Sequence, residues 1–330
     1  MGHVPVLLEE VLEALQPQDG ETYVDGTFGG GGYALRVLAA ADCQLYGIDR
    51  DLDAITRAEA LAEQRPRLTP LLGRFGDLDD LLATAGVTVV HGVMLDIGVS
   101  SFQIDEGDRG FSFMRDGPLD MRMGQTGPSA ADVVNHMSAG DLMTIFRQLG
   151  EERQAKRIAN AIVARRKSEP FKTTLDLAQC IEDAVGGRRG KKTHPATLTF
   201  QAIRMYVNDE LGELARGLAA AERVLAPGGR LVVVTFHSLE DRLVKQFLRE
   251  RSGATGGGSR YMPEVAKGPE PSFELKRRKA TEPSEAEIKD NPRARSSRLR
   301  VAVRTDAPAW TQTVETGKSV LPLKQLEAAL

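Results

Sequence analysis

Over the first hundred residues, short apolar runs that end in an acidic residue alternate with stretches whose apolar side chains recur every three or four positions. This alternation predicts parallel strands joined by amphipathic helices, the pattern of a doubly wound α/β sheet. The opening HVPVLLEEVLEAL (His3–Leu15) places Leu8, Val11, Leu12 and Leu15 on one helical face, with Glu9, Glu10 and Glu13 opposite. Such a helix is expected to cover the side of a sheet. TYVDGTFGGGGY (Thr22–Tyr33) then reads as a strand into Asp25, a turn with five glycines in seven positions, and a helix start. QLYGIDRD (Gln44–Asp51) gives a second buried strand ending in Asp49, and LTPLLGRFGDLDDLL (Leu68–Leu82) a short third strand and a turn. VTVVHGVMLDIGVSS (Val87–Ser101) is the fourth strand, running into Asp96, with His91 at its far end and expected to be structural.

From Asp105 to about Lys192 the alternation stops. GEERQAKRIANAIVARRK (Gly150–Lys167) is helical, with Ala155, Ile158, Ala159, Ile162 and Val163 inward and basic residues on the rest. HPATLTFQAIRMYVNDELGELARGLAAAERVL (His194–Leu225) reads as one long helix with an apolar stripe, returning the chain to the sheet. RLVVVTF supplies a fifth strand, delivering His237 and Ser238 to the carboxyl edge. SFELKRRKA (Ser272–Ala280) and SRLRVAVRT (Ser297–Thr305) would form an antiparallel pair at the sheet edge. The expected organisation is therefore an α/β domain from residues 1–104 and 193–305, with an inserted, mainly helical domain at 105–192. Within it, the Gly- and Pro-rich stretch 252–271 is expected to be mobile, and the tail 306–330 carries no legible motif and is expected to be disordered.

Composition narrows the setting. At 330 residues, 41% hydrophobic and 27% charged, the chain suits one large globular domain or two smaller ones. A formal charge of −3 argues against a surface that binds polyanions everywhere, while leaving room for local basic patches. Two cysteines, Cys43 and Cys180, cannot build a disulfide framework, and no metal-ligand cluster is legible. The N-terminus lacks a basic segment before an apolar one, and no apolar run approaches ~20 residues, so the cytosol is the expected location.

The candidate chemistry lies at the strand ends. A glycine turn after the first strand lets backbone N–H groups approach a nucleotide-like ligand, although such a turn can equally be only a turn. Asp49 stands about 20 residues past the glycines, where these folds place an acceptor for two ribose hydroxyls; the alternative is a helix cap. Gly29-x-Gly31-x-x-Ala34 formally fits a dinucleotide fingerprint, but Asp25 in the approach is badly placed for a pyrophosphate. A carboxylate there suits the cationic amino-acid end of S-adenosylmethionine. LAPGGRLVVVTFHS points the same way, since it resembles the Pro-Gly-Gly turn before the fifth strand of class I methyltransferases. Phe75 could stack on an adenine or pack in the core. Asp96 could orient an amine or take its proton, with Gln103 near either donor or substrate. His237 could transfer a proton or make a structural hydrogen bond.

Longer motifs carry a resemblance. HVPVLLEEVLEAL, DGTFGGGGY, GIDRD, LDIGVSS, RGFSFMRDGPLDMRM, GEERQAKRIANAI, HPATLTFQAIRMYVNDEL, LAPGGRLVVVTFHSLEDR and NPRARSSRLR occur in the order found in one bacterial family. The chain resembles the 16S ribosomal RNA cytosine-N4 methyltransferases, the small subunit methyltransferase H family. The resemblance implies a class I S-adenosylmethionine-dependent methyltransferase fold: a Rossmann-like, doubly wound sheet with an antiparallel edge strand and a helical insertion. It implies S-adenosylmethionine as donor, held at Gly31, Gly32, Tyr33, Asp49, Phe75, Asp96 and Gln103, with no metal. It further implies a cytidine of the decoding region as target, within 16S rRNA or the small ribosomal subunit, for a monomer or homodimer. Many members have Gly-Gly-His where this chain has Gly31-Gly32-Tyr33, so any side-chain contact at that position differs here. Asp96 is the expected catalytic residue, although the Asp/Asn-Pro-Pro-aromatic text of amino-group methyltransferases is replaced by Asp-Ile-Gly-Val. Arg109, Arg115 and Arg122 of the RGFSFMRDGPLDMRM loop, and Arg188, Arg189, Lys191 and Lys192 of GGRRGKK, are candidate RNA-phosphate contacts. Together these basic segments suggest a lid that recognises the RNA. His237, Arg293 and Arg295 would complete the substrate side. Two alternatives stay open: an RNA-binding assembly factor without activity on the same fold, and a nucleotide-dependent oxidoreductase.

Overall fold

The computed structural model describes residues 5–124, 126–188, 190, 193–254, 269–318, 320–328 and 330, apart from the side chains of 101 and 102. They form two compact units, Met1–Gly98 with Leu211–Thr316, and Val99–Glu210 with Gly317–Leu330. In chain order the first unit opens with α1 (Leu8–Leu15), β1 (Thr22–Asp25), α2 (Gly32–Ala40), β2 (Gln44–Asp49), α3 (Leu52–Ala62), β3 (Leu68–Leu72), α4 (Leu78–Thr84) and β4 (Val90–Asp96). The second unit carries α5 (Ser101–Asp105), α6 (Ala130–His136), α7 (Ala139–Gln148), α8 (Ala155–Arg165), α9 (Thr174–Val185) and α10 (Thr197–Val207). The chain re-enters the first unit within α11 (Glu210–Val224), then forms β5 (Leu225–Thr235), α12 (Ser238–Arg251), β6 (Phe273–Glu274), α13 (Glu285–Asp290) and β7 (Arg298–Arg304). A short α14 (Leu323–Glu327) ends it, back in the second unit.

The sheet order is β3-β2-β1-β4-β5-β7-β6. The first five strands in that order are parallel, and β7 runs antiparallel to both neighbours. Strands β1 and β4 are buried almost throughout, as a parallel sheet covered on both faces requires. Helices α1, α2 and α3 pack one face, where Val11, Leu15, Val37 and Ala58 meet Tyr23, Leu45, Met94 and Val232. On the other face α12 is tied to β7 by Arg300, whose Nε and Nη2 donate to Asp241 at 2.7 and 3.0 Å. This is the class I S-adenosylmethionine-dependent methyltransferase fold: parallel strands that reverse direction of progression at β1/β4, closed by an antiparallel edge pair.

Three local expectations change. The long helix His194–Leu225 is two helices, broken at Asn208 and Asp209, the latter at φ +49°. The Asn208 amide leaves the helix to hold a loop: Nδ2 donates to Met121 O at 2.7 Å and Oδ1 accepts from Met123 N at 2.8 Å. The edge strand expected over Ser272–Ala280 shrinks to Phe273–Glu274. Glu274 opposes Val303 and the next pair is Thr281 with Leu299, so six residues (Leu275–Ala280) face three of β7 (Arg300–Ala302). A Lys-Arg-Arg-Lys run cannot alternate inward on a half-buried strand, so the chain bulges off the edge.

The tail is not loose up to Thr316. Trp310 donates from its backbone N–H to Glu222 Oε1 (3.0 Å) and from its indole to Glu270 O (2.9 Å). Arg251 is 1% exposed; its Nε reaches Glu222 Oε2 at 3.1 Å, and its guanidinium lies against the Phe247 and Trp310 rings. Ser272 Oγ also donates to Glu222 Oε1, at 2.6 Å. One buried carboxylate thus gathers α12, the β6 entry and the tail. Replacing Glu222 with alanine removes the buried partner of Arg251, leaving it Glu250 at 3.4 Å, and is expected to cost about 3 kcal/mol, read as a lowered urea midpoint. An unchanged midpoint would show that solvent reaches Arg251.

Candidate active site

Three strands that lie side by side, β2, β1 and β4, each end in an aspartate: Asp49, Asp25 and Asp96. Because the strands are parallel, all three carboxyl groups gather at one edge of the sheet. Asp49 Oδ2 accepts from the Gly29 N–H at 2.8 Å, and Oδ1 accepts from Asp51 N at 2.9 Å. The cap of α3 is Asp51, whose side chain accepts from Asp53 N, so Asp49 does not serve as that helix's cap. Asp25 is 1% exposed; Oδ1 accepts from Thr27 N at 3.2 Å, while Oδ2 is shut off from solvent with no hydrogen-bond partner. Asp96 is half-buried as a residue, yet its Oδ1 is enclosed and unpartnered too. Its backbone N–H donates to Thr27 Oγ1 at 2.7 Å, which stitches the ends of β1 and β4 together.

The glycine turn fits between them for steric reasons. Gly29 and Gly31 have φ of +53° and +74°, which residues with a Cβ adopt only with strain. A Cβ on Gly31 would lie 2.6 Å from Phe28 Cζ, and one on Gly47 of the neighbouring strand 2.5 Å from Phe28 Cδ2. Phe28 therefore fills the space two glycines leave. Tyr33, at the start of α2, is buried and donates its hydroxyl to Val6 O, tying α2 to the segment before α1. With Val11, Asp25, Met94, Leu95, Asp96, Val232 and Val234 it encloses a cavity of about 10 Å³, roughly one water's worth. Phe75 follows β3; its half-buried ring sits where a Cβ on Gly217 would lie 2.5 Å from Cδ2. Glu213 meets Arg50 at 2.8 Å and Arg74 at 3.2 Å, so these two cations near the strand ends are already matched.

Electrostatics single out the two central acids. Burial pushes the Asp25 carboxyl up to about 7, and the Asp49 charge adds to the shift, against a hydrogen bond from Thr27. Burial likewise carries Asp96 well above the carboxylate range, with Asp25 and Glu240 contributing repulsion. Asp49 is raised by burial as well, opposed by its hydrogen bonds from Asp51 and Gly29. The arrangement is a nest of carboxyl oxygens that favours either protons or a bound cation.

His237 sits at the N-cap of α12. Its Nδ1 accepts from Glu240 N at 3.3 Å, and Glu240 Oε2 accepts from Phe236 N and His237 N in return. The text His-Ser-Leu-Glu holds this reciprocal cap, with the acid three residues on, so the sequence did carry its signal. Thr27 and Tyr33's tie to Val6 had no such signal. Arg293 and Arg295 are exposed on a 3-10 turn, Pro292–Ser296.

The second unit holds the remaining candidates. Gln103 Oε1 accepts from Ser100 N at 3.1 Å on α5. Arg122 forks onto Asp120 at 2.8 and 2.6 Å, and Arg109 donates to the carbonyls of Arg122 and Met123. Both arginines hold their own loop. Arg115 is exposed, and Arg188 lies 3.7 Å from Glu182. On α8 and the residues flanking it, Arg165 pairs with Asp176 at 2.6 Å and Arg166 donates to Val134 O, while Arg153, Lys156 and Arg157 are exposed. Arg189, Lys191 and Lys192 lie outside the described residues.

The fold is that of the class I methyltransferases. The description of the MraW methylase family matches residues 1–305. Ribosomal RNA small subunit methyltransferase H of Hyphomonas neptunium is 66% identical over 326 residues, spanning 99% of this chain and 95% of that protein. The protein of the same name from Maricaulis maris is 54% identical over 330 residues, 99% and 98% of the two chains. That of Caulobacter vibrioides is 58% identical over 308 residues, 93% and 97%. The chain belongs to the MraW methylase family.

Asp25 yields a test with a definite sign. A carboxyl whose folded value is about 7 against an ordinary 3.8 destabilises the fold once ionised, so the cost is absent near pH 4 and complete above pH 7. Asp25→Asn should therefore stabilise the donor-free protein by roughly 2–4 kcal/mol at pH 8, a gain that fades towards pH 4. Thermal melts of both proteins across that range check it, and a gain independent of pH would remove Asp25 as the buried titrating group.

Proposed function

We propose that this chain transfers a methyl group from S-adenosylmethionine to the N4 amine of a cytidine in the decoding region of 16S rRNA. It would do so in the cytoplasm, as a monomer or a homodimer. The observation that carries the proposal is the pair of enclosed, unpartnered oxygens on Asp25 and Asp96 beside a left-handed glycine turn. Such oxygens are costly to bury, and a cation offsets the cost. A dinucleotide's pyrophosphate would worsen it, which argues against the oxidoreductase alternative.

S-adenosylmethionine fits this setting by charge, since both its sulfonium and its amino group are positive. When bound it supplies a methyl group already activated for transfer. Gly31, Gly32 and Tyr33 would hold it through their backbone, Asp49 through the ribose hydroxyls, Phe75 through its half-buried ring, and Asp96 and Gln103 nearer the reacting end. Asp49 keeps its carboxylate oriented by the Gly29 and Asp51 N–H groups, as a ribose acceptor needs.

The amine of cytosine is a poor nucleophile because its lone pair is delocalised into the ring. The protein's tasks are alignment, exclusion of water and acceptance of the leaving proton. Asp96 suits the last task, because burial makes its ionised form a stronger base than an exposed aspartate. A paired or stacked cytosine cannot present its amine in line, so the base is expected to be splayed from its helix.

Recognition of the RNA is assigned to the inserted segment 105–192 and to Arg293 and Arg295. Among the described residues Arg115, Arg153, Lys156 and Arg157 are exposed cations with no ion pair, which suits phosphate contact better than Arg109 or Arg122. The relatives' name, ribosomal RNA small subunit methyltransferase, supports the substrate class. A scaffold without activity would have no use for two enclosed carboxylate oxygens, which disfavours the assembly-factor alternative.

Mass spectrometry of small-subunit rRNA from cells with and without the protein tests the whole proposal: one N4-methylcytidine in the decoding region should vanish. An unchanged methylation pattern would sink it. Within the site, Asp96→Asn should slow single-turnover methylation about 10²–10⁴-fold while some donor binding survives. If affinity falls and the rate at saturating donor holds, Asp96 anchors the donor and does no more.

A further inference from the structure

A cavity of about 670 Å³ in the first unit lies away from the strand-end acids, where the chain bulges off the sheet edge. Its floor is the β7 face formed by Leu299, Val301 and Val303. One wall is the bulge itself, carrying Lys276, Arg277, Arg278 and Lys279; α12, which packs the other face of the sheet beside Arg300, adds Lys245 and Arg249 around the sheet edge. All six cations are exposed, and none makes an ion pair or side-chain hydrogen bond within the described residues. Two further basic residues of the groove are committed: Arg230 to Gln16 at 2.8 Å and Arg300 to Asp241. Among the described residues only Glu10 and Glu13, on α1, bring negative charge to its rim.

We propose that this groove is a binding surface for the sugar–phosphate backbone of the substrate RNA, outside the methyl-transfer site. Six unpaired cations around one groove repel each other, in a chain whose formal net charge is −3. Their concentration at one place is stabilised by a polyanion laid along them. Among the described residues no aromatic side chain lines the groove, so these offer no base-stacking platform; they grip phosphates without reading sequence. Position supports the same role. Helix α1 is a shared wall, with Val11 on the small cavity beside Asp96 and Glu10, Glu13 and Ala14 on the groove. A strand held there runs one helix away from the reacting edge, and anchors flanking RNA while the target base is turned in. The Lys-Arg-Arg-Lys run thereby gains a use that an edge strand would have denied it.

The inference rests on RNA being the substrate, and the test keeps the two claims apart. The Lys276→Ala/Arg277→Ala/Arg278→Ala/Lys279→Ala variant and, on α12, Lys245→Glu/Arg249→Glu would be compared with wild type. The measurements are affinity for a decoding-region RNA fragment across salt concentrations, donor affinity by calorimetry, and methyl transfer to small-subunit rRNA. The four-alanine variant should bind the fragment about 10- to 100-fold more weakly at physiological salt, with a log–log salt slope shallower by ~3. Donor affinity and the methyl-transfer rate at saturating RNA should stay at the wild-type value, and the α12 variant should show the same signature. Unaltered RNA affinity and slope in both variants, with methyl transfer intact, would overturn the groove and leave the proposed reaction standing. Variants that lose RNA affinity while the wild-type protein methylates no rRNA would uphold the groove and overturn the reaction. Loss of binding to phosphatidylserine vesicles with RNA affinity untouched would assign the groove to a lipid surface and overturn the inference.

Discussion

Carboxyl groups crowded into a low-dielectric edge are the constraint on which the first unit depends. A single buried aspartate can be satisfied by nearby N–H groups, as Asp49 is by Gly29 and Asp51. Three on adjacent parallel strands cannot all be satisfied in that way, and Asp25 and Asp96 keep enclosed oxygens with no donor. Everything around them limits the damage. Thr27 sits between the two strands, giving its N–H to Asp25 and its hydroxyl oxygen to the N–H of Asp96. Arg50 and Arg74, which could have neutralised the edge, are held by Glu213 instead. The site is left electron-rich by construction, and a cationic ligand is the simplest way to relieve it.

Much of this was legible in the order of residues. Parallel strands buried on both faces read as apolar runs, and each run stops at the first residue that must meet the site, so Asp25, Asp49 and Asp96 marked themselves. Glycines at Gly29 and Gly31 announced a turn that other residues would strain. What escaped notice depended on partners distant in sequence. The helix expected across His194–Leu225 breaks because the Asn208 amide is worth more to Met121 and Met123 than to a helix end. The family resemblance offered Arg109 and Arg122 as phosphate contacts; here they bond to carbonyls and to Asp120 of their own loop. A charge run gives no sign of which of its members are already paired, and that distinction governs which can bind RNA.

The same lesson applies to the C-terminal residues. No motif marks Ala307–Trp310, but Arg304 donates to Ala307 O at 2.7 Å and Arg251 stacks against Trp310. Their order comes from Glu222, a residue of α11 whose two oxygens bind Arg251, Ser272 and the Trp310 N–H. An acid buried at 0% exposure in the middle of a helix is a poor local choice, and its role appears only once the later chain has arrived.

The strand order also sets a timetable. β4 ends at Asp96, but its neighbour β5 begins only at Leu225, after the Val99–Glu210 segment of the second unit has been made. β5 in turn waits from Thr235 to Arg298 for β7 to cover its other edge. At ~5–20 residues per second, that second gap alone lasts roughly 3–13 s on the ribosome. Throughout it Leu231, Val232, Val233 and Val234 form an uncovered apolar edge, the kind of template that recruits other nascent chains. The antiparallel strand that covers this edge is thus also its late-arriving guard, and the yield of folded protein should depend on how promptly the chain from Thr235 to Arg304 is translated.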